Sequence, residues 1–522
     1  MRWLVPLVAA VTGCGIDTGF DPPPEGPSLP VRVRLVSDAQ YANAVHDLFG
    51  DLWLPALHAP GTTPDQFIHD DVLAVDAPLL VQYRIAAETV AAEIAADPSR
   101  LGCGIGDDAC LQGRIDDVAA RAFRRPIDAA EHDQLAALYA QGASVGGTAA
   151  GAALVVEAVL QAPSFVYRTE AGPPPGAAPG TDVELTPHEL AAELAALLLD
   201  SIPDEPLWQA ARDGSLADPA VLTGQVDRLL GTRRVRAHLI DVVLDWLGTP
   251  AIFTVNKDSV RFPELTPELR ASMYGETRKF VAETLWHRGG SLRALLTSSE
   301  TYVDARLGEL YGVHVTATEL TRTHLDPRRR AGILTQASAL ARLANPLTES
   351  IVQRGLFVER TLLCAPELGR PPASAIAAVA GETSALSEAE FSIYRTSHPS
   401  CAGCHGAIDP PGRTLHHYDG LGRWRETDLA DAPVDARATV VIDDRPYEVD
   451  GAPQLAAALA GSRQVARCVV GQLAHHALGR AVDDPALLEY LYRSFERHDR
   501  DLVDVFRAIA TAPVFRLRRG VP

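Results

Sequence analysis

Apolar positions recur along most of this chain at spacings of three and four. Leu190, Leu194, Leu197 and Leu198 form one such stripe, and Val465, Val469, Leu473 and Leu478 another, the period of an amphipathic helix. Helix-start signals precede several of these runs. Ser37 with Gln40, Asp128 with Glu131, Thr186 with Glu189 and Ser387 with Glu390 each fit a capping box. There the first side chain accepts a backbone N–H and the second reaches back. Pro187 and Pro267 stand at expected first helical positions, where a missing N–H costs nothing. Period-two alternation is rare. Thr439-Val440-Val441-Ile442, then Asp443-Asp444, then Tyr447-Glu448-Val449 predicts a β-hairpin. The fold class expected is mainly α: a multi-module helical protein with a small β-hairpin near the C-terminus.

Pro/Gly/Ala-rich connectors at 172–180 and 371–381 divide the chain. No fixed-period repeat is present. The length, 522 residues, suits about three or four domains. Apolar residues make up 47% and charged residues 22%, enough for ordinary globular cores. The net charge of −20 argues against nucleic acid as the main partner, because phosphate binding needs a basic footprint.

The first residues set the expected compartment. Arg2 is followed by a short apolar run, Trp3 to Val11, and then Thr12-Gly13-Cys14. This is the pattern of an export signal, too short for a stable membrane span. Val11-Thr12-Gly13-Cys14 also resembles a bacterial lipobox, which predicts cleavage after residue 13 and lipidation of Cys14. The Pro-rich stretch that follows, within residues 14–30, reads as an extended tether. No later stretch is expected to be long and apolar enough to cross a bilayer. The expected location is outside the cytoplasm, lipid-anchored, at an outer membrane facing the periplasm or the cell surface.

Six further cysteines remain. Cys103 and Cys110 are spaced to close a small loop, and Cys364 and Cys468 are the remaining pair if Cys401 and Cys404 serve otherwise. An oxidising compartment permits such disulfides.

Cys401-Ala402-Gly403-Cys404-His405 is a CxxCH, the attachment signature of c-type haem. Two thiols at this spacing reach two vinyl groups on one porphyrin edge, and the adjacent histidine falls beneath the iron. Three other readings stand beside it: half of a zinc site with His398 and His405, a dithiol redox motif, and a structural disulfide. Past the motif, Ile408-Asp409-Pro410-Pro411-Gly412 reads as a rigid turn whose carbonyl accepts the second imidazole N–H of His405. Asp409 and Pro410 are thus candidates for the layer behind the ligand. Arg423, Trp424 and Arg425 offer donors suited to haem propionates. Methionine, the common sixth ligand that raises the potential, is scarce: only Met1 and Met273 occur. The expected sixth position is therefore a histidine or open. The candidates are His417 and His476, then His398, His416 and His475.

The stretch His398 to Arg425 resembles the cytochrome-c-type module of a family of large exported proteins, abundant in planctomycetes and myxobacteria and built from several domains of unknown function in fixed order. The rest of the chain follows that order. Arg34-Leu35 through Tyr41, Asn43, Asp47-Leu48 and Gly50 resembles its N-terminal module. Arg121 to Pro126 and Gln161 to Arg168 resemble the second. Leu185 to Leu190 with Ser201-Ile202-Pro203-Asp204 resembles the central one. Gly332 to Ala337 and Arg354-Gly355 open the haem-bearing module, and Cys468 with Ala477 to Arg480 marks the last. The implied organisation is modules at 31–60, 99–171, 184–313, 328–430 and 436–516. Two departures stand out. There is no second CxxCH, and His416-His417 replaces the Glu-Asn that the family tends to have. The resemblance implies haem c and a periplasmic or surface redox partner, but no reaction, because the family has no settled activity. No Ser/His/Asp arrangement, phosphate loop, HExxH or distinct carboxylate pair for glycoside hydrolysis singles out an enzyme class. The alternative function is a structural or binding lipoprotein whose CxxCH holds zinc or a disulfide.

Overall fold

All four capping boxes form. Ser37, Asp128, Thr186 and Ser387 accept the backbone N–H three residues on, and Gln40, Glu131, Glu189 and Glu390 return the bond. The computed structural model describes residues 29–30, 33–57, 75–104, 107–170, 181–366, 386–429, 431–479, 482 and 484–519. The signal at 1–13, Cys14, most of the tether and both Pro/Gly/Ala-rich connectors lie outside the described residues. The fold is mainly α, with small sheets.

The elements run β1 (Leu29–Pro30), β2 (Val33–Leu35), α1 (Asp38–Phe49), α2 (Ala77–Ala96), α3 (Asp108–Phe123), α4 (Ala129–Gln161), β3 (Tyr167–Thr169) and β4 (Asp182–Glu184). The central stretch holds α5 (Pro187–Leu198), α6 (Glu205–Arg212), α7 (Pro219–Leu230), α8 (Arg233–Trp246), α9 (Pro267–His287), β5 (Glu300–Val303) and β6 (Thr321–His324). After it come α10 (Ile351–Phe357), α11 (Glu388–Ser397) and α12 (Pro399–Arg413). The chain closes with β7 (Arg437–Ile442), β8 (Arg445–Asp450), α13 (Gly451–Gly461), α14 (Arg463–Leu478), α15 (Pro485–Arg497), α16 (Leu502–Thr511) and β9 (Leu517–Arg519).

β7 and β8 are the hairpin expected from the alternation, in register Ile442↔Arg445. Its two turn residues, Asp443 and Asp444, have φ of 52° and 57°, as a type I′ turn requires. β9 lies between β1, parallel, and β4, antiparallel. Residues near the two ends of the described chain therefore share one sheet.

α4 corrects the expectation about apolar length. It is long and apolar enough by length and composition to cross a membrane. It is not straight. Gly146 and Gly147 leave helical geometry, Gly147 at φ 80°. A straight helix would hold Tyr139 and Gly151 about 18 Å apart at its usual rise, yet a Cβ on Gly151 would lie 2.6 Å from the Tyr139 carbonyl oxygen. The chain doubles back as a tight αα-hairpin, and its glycines let the two arms touch.

One apolar cluster gathers residues from α1 to the end of α4 and takes Ile202 from the central stretch. The larger core draws on α5 to α9, on α10 with the π-helical turn behind it, on Leu415 and Tyr418, and on β7 through α16. The central, CxxCH-bearing and C-terminal stretches thus share one core. A third, smaller cluster holds Met273, Phe262 and Leu421.

Buried arginines tie the loops to these cores, and they explain several motif residues. Arg124 donates to the carbonyls of Ser164, Phe165 and Tyr167 at 2.8–3.0 Å. Arg330 donates to those of Thr335 and Gly422. Arg354, fully buried, donates to Leu415, Tyr418 and Asp419 at 2.7–2.8 Å. Each satisfies carbonyls that burial would otherwise leave bare. Arg168 pairs with Glu193 at 2.7 Å and Arg518 with Glu170 at 2.6 Å.

Glu276 on α9 is fully buried and accepts from Thr301 Oγ1 (2.7 Å) and Tyr311 OH (2.6 Å). Burial outweighs those bonds and pushes its carboxyl up to about 7. A carboxyl raised in the folded state contributes stability that is complete below its ordinary 4.5 and lost as pH rises through 7. In Glu276→Gln the fall in stability across that window is expected to flatten. Urea midpoints at the two ends of the window check this.

Candidate functional site

The CxxCH lies in the middle of α12. His398 caps the helix through its ring, which accepts the Ser400 N–H at 3.3 Å, and Pro399 takes the first helical position. Cys401, Cys404 and His405 are then three and four residues apart, which places them on one helical face. Both cysteines are free thiols and partly exposed. Cβ atoms at Gly403 or Gly406 would meet nothing within 4 Å, so open space lies beside the motif.

The rigid turn expected at 408–412 does not form there. Helix α12 continues through Pro410 and Pro411 to Arg413. Each proline removes one helical hydrogen bond, and the carbonyls left over belong to Gly406 and Ala407, which are exposed, so solvent can satisfy them. Tight packing supports the rest. A Cβ at Gly355 on α10 would overlap the Ile408 carbonyl, and one at Gly412 would overlap that of Ile351. α10 and α12 cross with backbone against backbone, which gives the Arg354-Gly355 motif its physical meaning. The arginine holds the loop beyond α12, and the glycine admits the helix itself.

Continuing the helix changes the partner of His405. Its Nδ1 meets Asp409 Oδ1 at 2.7 Å, one turn on. A carboxylate takes the place expected of a backbone carbonyl. Nδ1–H donates to it, which leaves Nε2 with the lone pair. Asp409 is fully buried, and its second oxygen accepts from Arg395 Nε at 3.0 Å. Arg395 Nη2 reaches Glu388 Oε1 at 3.0 Å. Burial alone would raise the Asp409 carboxyl; the bond from His405 and the Arg395 charge outweigh it and hold the group below its ordinary range. Arg395 and Glu388, both on α11, escaped the sequence reading. Their seven-residue spacing on one helix was the only local signal.

The expected propionate donors are engaged elsewhere. Arg423 pairs with Glu264 and Asp419, Arg425 with Glu349, and Trp424 Nε1 donates to Glu426 at 2.8 Å. They fasten the loop after α12 to the rest of the protein. Glu349 also meets His416 Nε2 at 3.2 Å. Burial opposes its charge, but His416 and Arg425 prevail and lower its carboxyl to about 2.

The five histidines considered for a sixth ligand are scattered. His416 does not fit that role: it is buried against Glu349, and its Nδ1 is enclosed as well. His417 stacks on Trp424 with ring centres 4.2 Å apart and bonds the Arg425 carbonyl through Nδ1 at 2.8 Å. His398 Nδ1 is 3.9 Å from Cys401 Sγ, on the thiol side. His475 and His476 lie on α14. His476 lines a cavity of about 560 Å³ between α1, α5, α8 and α14, to which α12 contributes no wall. Asp200, Asp241 and Asp245 share that cavity, and burial, reinforced by the other two carboxylates, pushes Asp245 up to about 6. Met273 is fully buried in the small third cluster. Among the described residues, no group of three or more His, Cys, Asp or Glu is placed to hold a metal ion. Cys103 is bonded to Cys110, and Cys364 to Cys468.

Three family models match separate parts of the chain. Residues 110–170 match PSD5, a protein of unknown function (DUF1595); residues 185–313 match PSD4, a protein of unknown function (DUF1592); residues 330–428 match PSCyt3, a protein of unknown function (DUF1588). The chain is thus similar to several domains of unknown function in one polypeptide, and the third match encloses the CxxCH. No curated protein and no solved structure matches it.

Proposed function

We propose that this chain is an exported, lipid-anchored carrier of one covalent c-type haem, serving electron transfer or one-electron redox chemistry in the periplasm or at the cell surface. The observation that carries the reading is the face of α12. Two unpaired thiols stand one turn apart, and beside them is an imidazole whose Nδ1 is committed to Asp409 at 2.7 Å. The donor set fits haem c: Cys401 and Cys404 hold it by thioethers, and His405 Nε2 ligates the iron. When bound, the group supplies one-electron exchange. The name of the matching PSCyt3 model agrees with a cytochrome-like segment.

The protein's own residues would fix the ligand. Asp409 sets the tautomer and orientation of His405. Arg395 and Arg354 hold the carboxylate and the following loop in place. With Met273 buried in the third cluster, a second ligand to the iron from this chain would be a histidine, or the position would stay open. Lipidation at Cys14 anchors the protein to the outer membrane, and the remaining partner is a periplasmic or surface redox protein.

In the Cys401→Ala, Cys404→Ala double variant, expressed through an intact export pathway, acid–acetone extraction is expected to remove all haem from the polypeptide. Full retention of haem in that variant would sink covalent attachment.

A further inference from the structure

We propose that Asp409, backed by Arg395 and Glu388, is a positioning residue that gives the iron ligand His405 a charged hydrogen-bond acceptor and so lowers the reduction potential of the haem. The inference rests on the reading of His405 as axial ligand and adds to it the direction in which this protein tunes the iron.

The groups form one continuous row: His405 Nδ1 to Asp409 Oδ1 at 2.7 Å, Asp409 Oδ2 to Arg395 Nε at 3.0 Å, Arg395 Nη2 to Glu388 Oε1 at 3.0 Å. The backbone N–H of Ile351 donates to the same Glu388 oxygen at 3.2 Å, and the Arg395 guanidinium lies over the Phe391 ring, 4.2 Å from its centre. The Asp409 side chain is fully buried, and those of Arg395 and Glu388 are 7% and 18% exposed. Charges so enclosed are screened far less than surface charges.

Two effects follow, and they act in the same direction. A carboxylate accepting Nδ1–H makes Nε2 a stronger donor than a neutral carbonyl would. Electron donation favours the ferric over the ferrous state. The row also carries a net charge: one negative on Asp409, one positive on Arg395, one negative on Glu388. A single net negative charge beside the ligand stabilises the oxidation state with the higher positive charge. Arg395 does not cancel the effect, because Glu388 neutralises it from behind. The row joins two packed helices, α11 and α12, with the Asp409 side chain enclosed between them and solvent excluded.

The test is a spectroelectrochemical titration of the full haem-loaded chain, with covalent haem counted by mass in each preparation. Asp409→Asn is expected to shift the midpoint potential upward while retaining one haem, and Asp409→Glu to return it toward the parent value. Glu388→Gln leaves the bond to His405 in place and removes one charge farther away, so a smaller upward shift is expected. That variant also keeps the inference open to refutation if Asp409→Asn does not fold. An unchanged or lowered potential in Asp409→Asn or in Glu388→Gln, with one haem present, overturns the inference alone. Absence of covalent haem from the parent protein overturns the inference together with the reading beneath it.

Discussion

Replacing both Cys364 and Cys468 with alanine is expected to cost roughly 4 kcal/mol of stability. That is the loop-closure value for a cross-link spanning on the order of a hundred residues, less any strain. The sequence separation is 104 residues. The closed loop contains α11, α12 and the β7–β8 hairpin, and the bond joins the turn after α10, the helix on which the CxxCH helix packs, to α14. Both cysteines must be replaced together. A single free thiol would be able to pair with Cys401 or Cys404. Urea midpoints of the parent and the double-alanine variant measure the loss. Equal midpoints would mean that the unfolded chain gains no freedom when the bond is gone, contrary to the loop-entropy argument.

Gly355→Ala should be the most damaging single methyl group in the CxxCH region. The new Cβ would overlap the Ile408 carbonyl, and the obstacle is backbone, which cannot rotate out of the way. Overpacking that forces side chains off their rotamers and the backbone to shift costs about 1–3 kcal/mol, and the upper end, about 3 kcal/mol, is expected here. The damage falls on the crossing of α10 with α12 and therefore on the face that carries Cys401, Cys404 and His405. Gly471 on α14 provides the contrast, since a Cβ there meets nothing within 4 Å. Gly471→Ala is expected to stabilise by about 0.5–1 kcal/mol through helix propensity alone. The two substitutions are chemically identical, and their opposite signs, read from urea midpoints, test the close approach. A neutral Gly355→Ala would show that the helices are not in backbone contact.

Features set by residues close in sequence are legible in the sequence alone. Capping boxes span four residues, and all four boxes form. The hairpin turn at Asp443-Asp444 is likewise local. Where tertiary packing overrode local preference, the reading failed. Pro410 and Pro411 argue for a turn by their own chemistry, yet α10 packs the segment as helix. Gly146-Gly147 was visible, but only the meeting of Tyr139 with Gly151 shows that the apolar run doubles back.

The site divides in the same way. Asp409 is four residues from His405, within the reach of one helical turn, and the sequence brought it into consideration. Arg395 lies on a different helix, and nothing local joins it to Asp409. Two of the carboxylates that engage Arg423 and Arg425, Glu264 and Glu349, are 159 and 76 residues away and could not be read from the local sequence. Motifs such as Arg354-Gly355 were recognisable as patterns, but their purpose depends on Leu415, Tyr418 and Ile408, which only the fold brings near.

Covalent haem on Cys401 and Cys404, with His405 as its ligand, is what the proposed function stands on. Its most direct test is the intact mass of the full chain, made with an intact export pathway and extracted with acid–acetone, together with the visible spectrum of the reduced protein. Expected are a red protein with a sharp α-band, a mass increase of one haem that survives extraction, and no thiol at Cys401 or Cys404 open to alkylation. A colourless protein with the mass of the bare polypeptide and both thiols alkylated would contradict it.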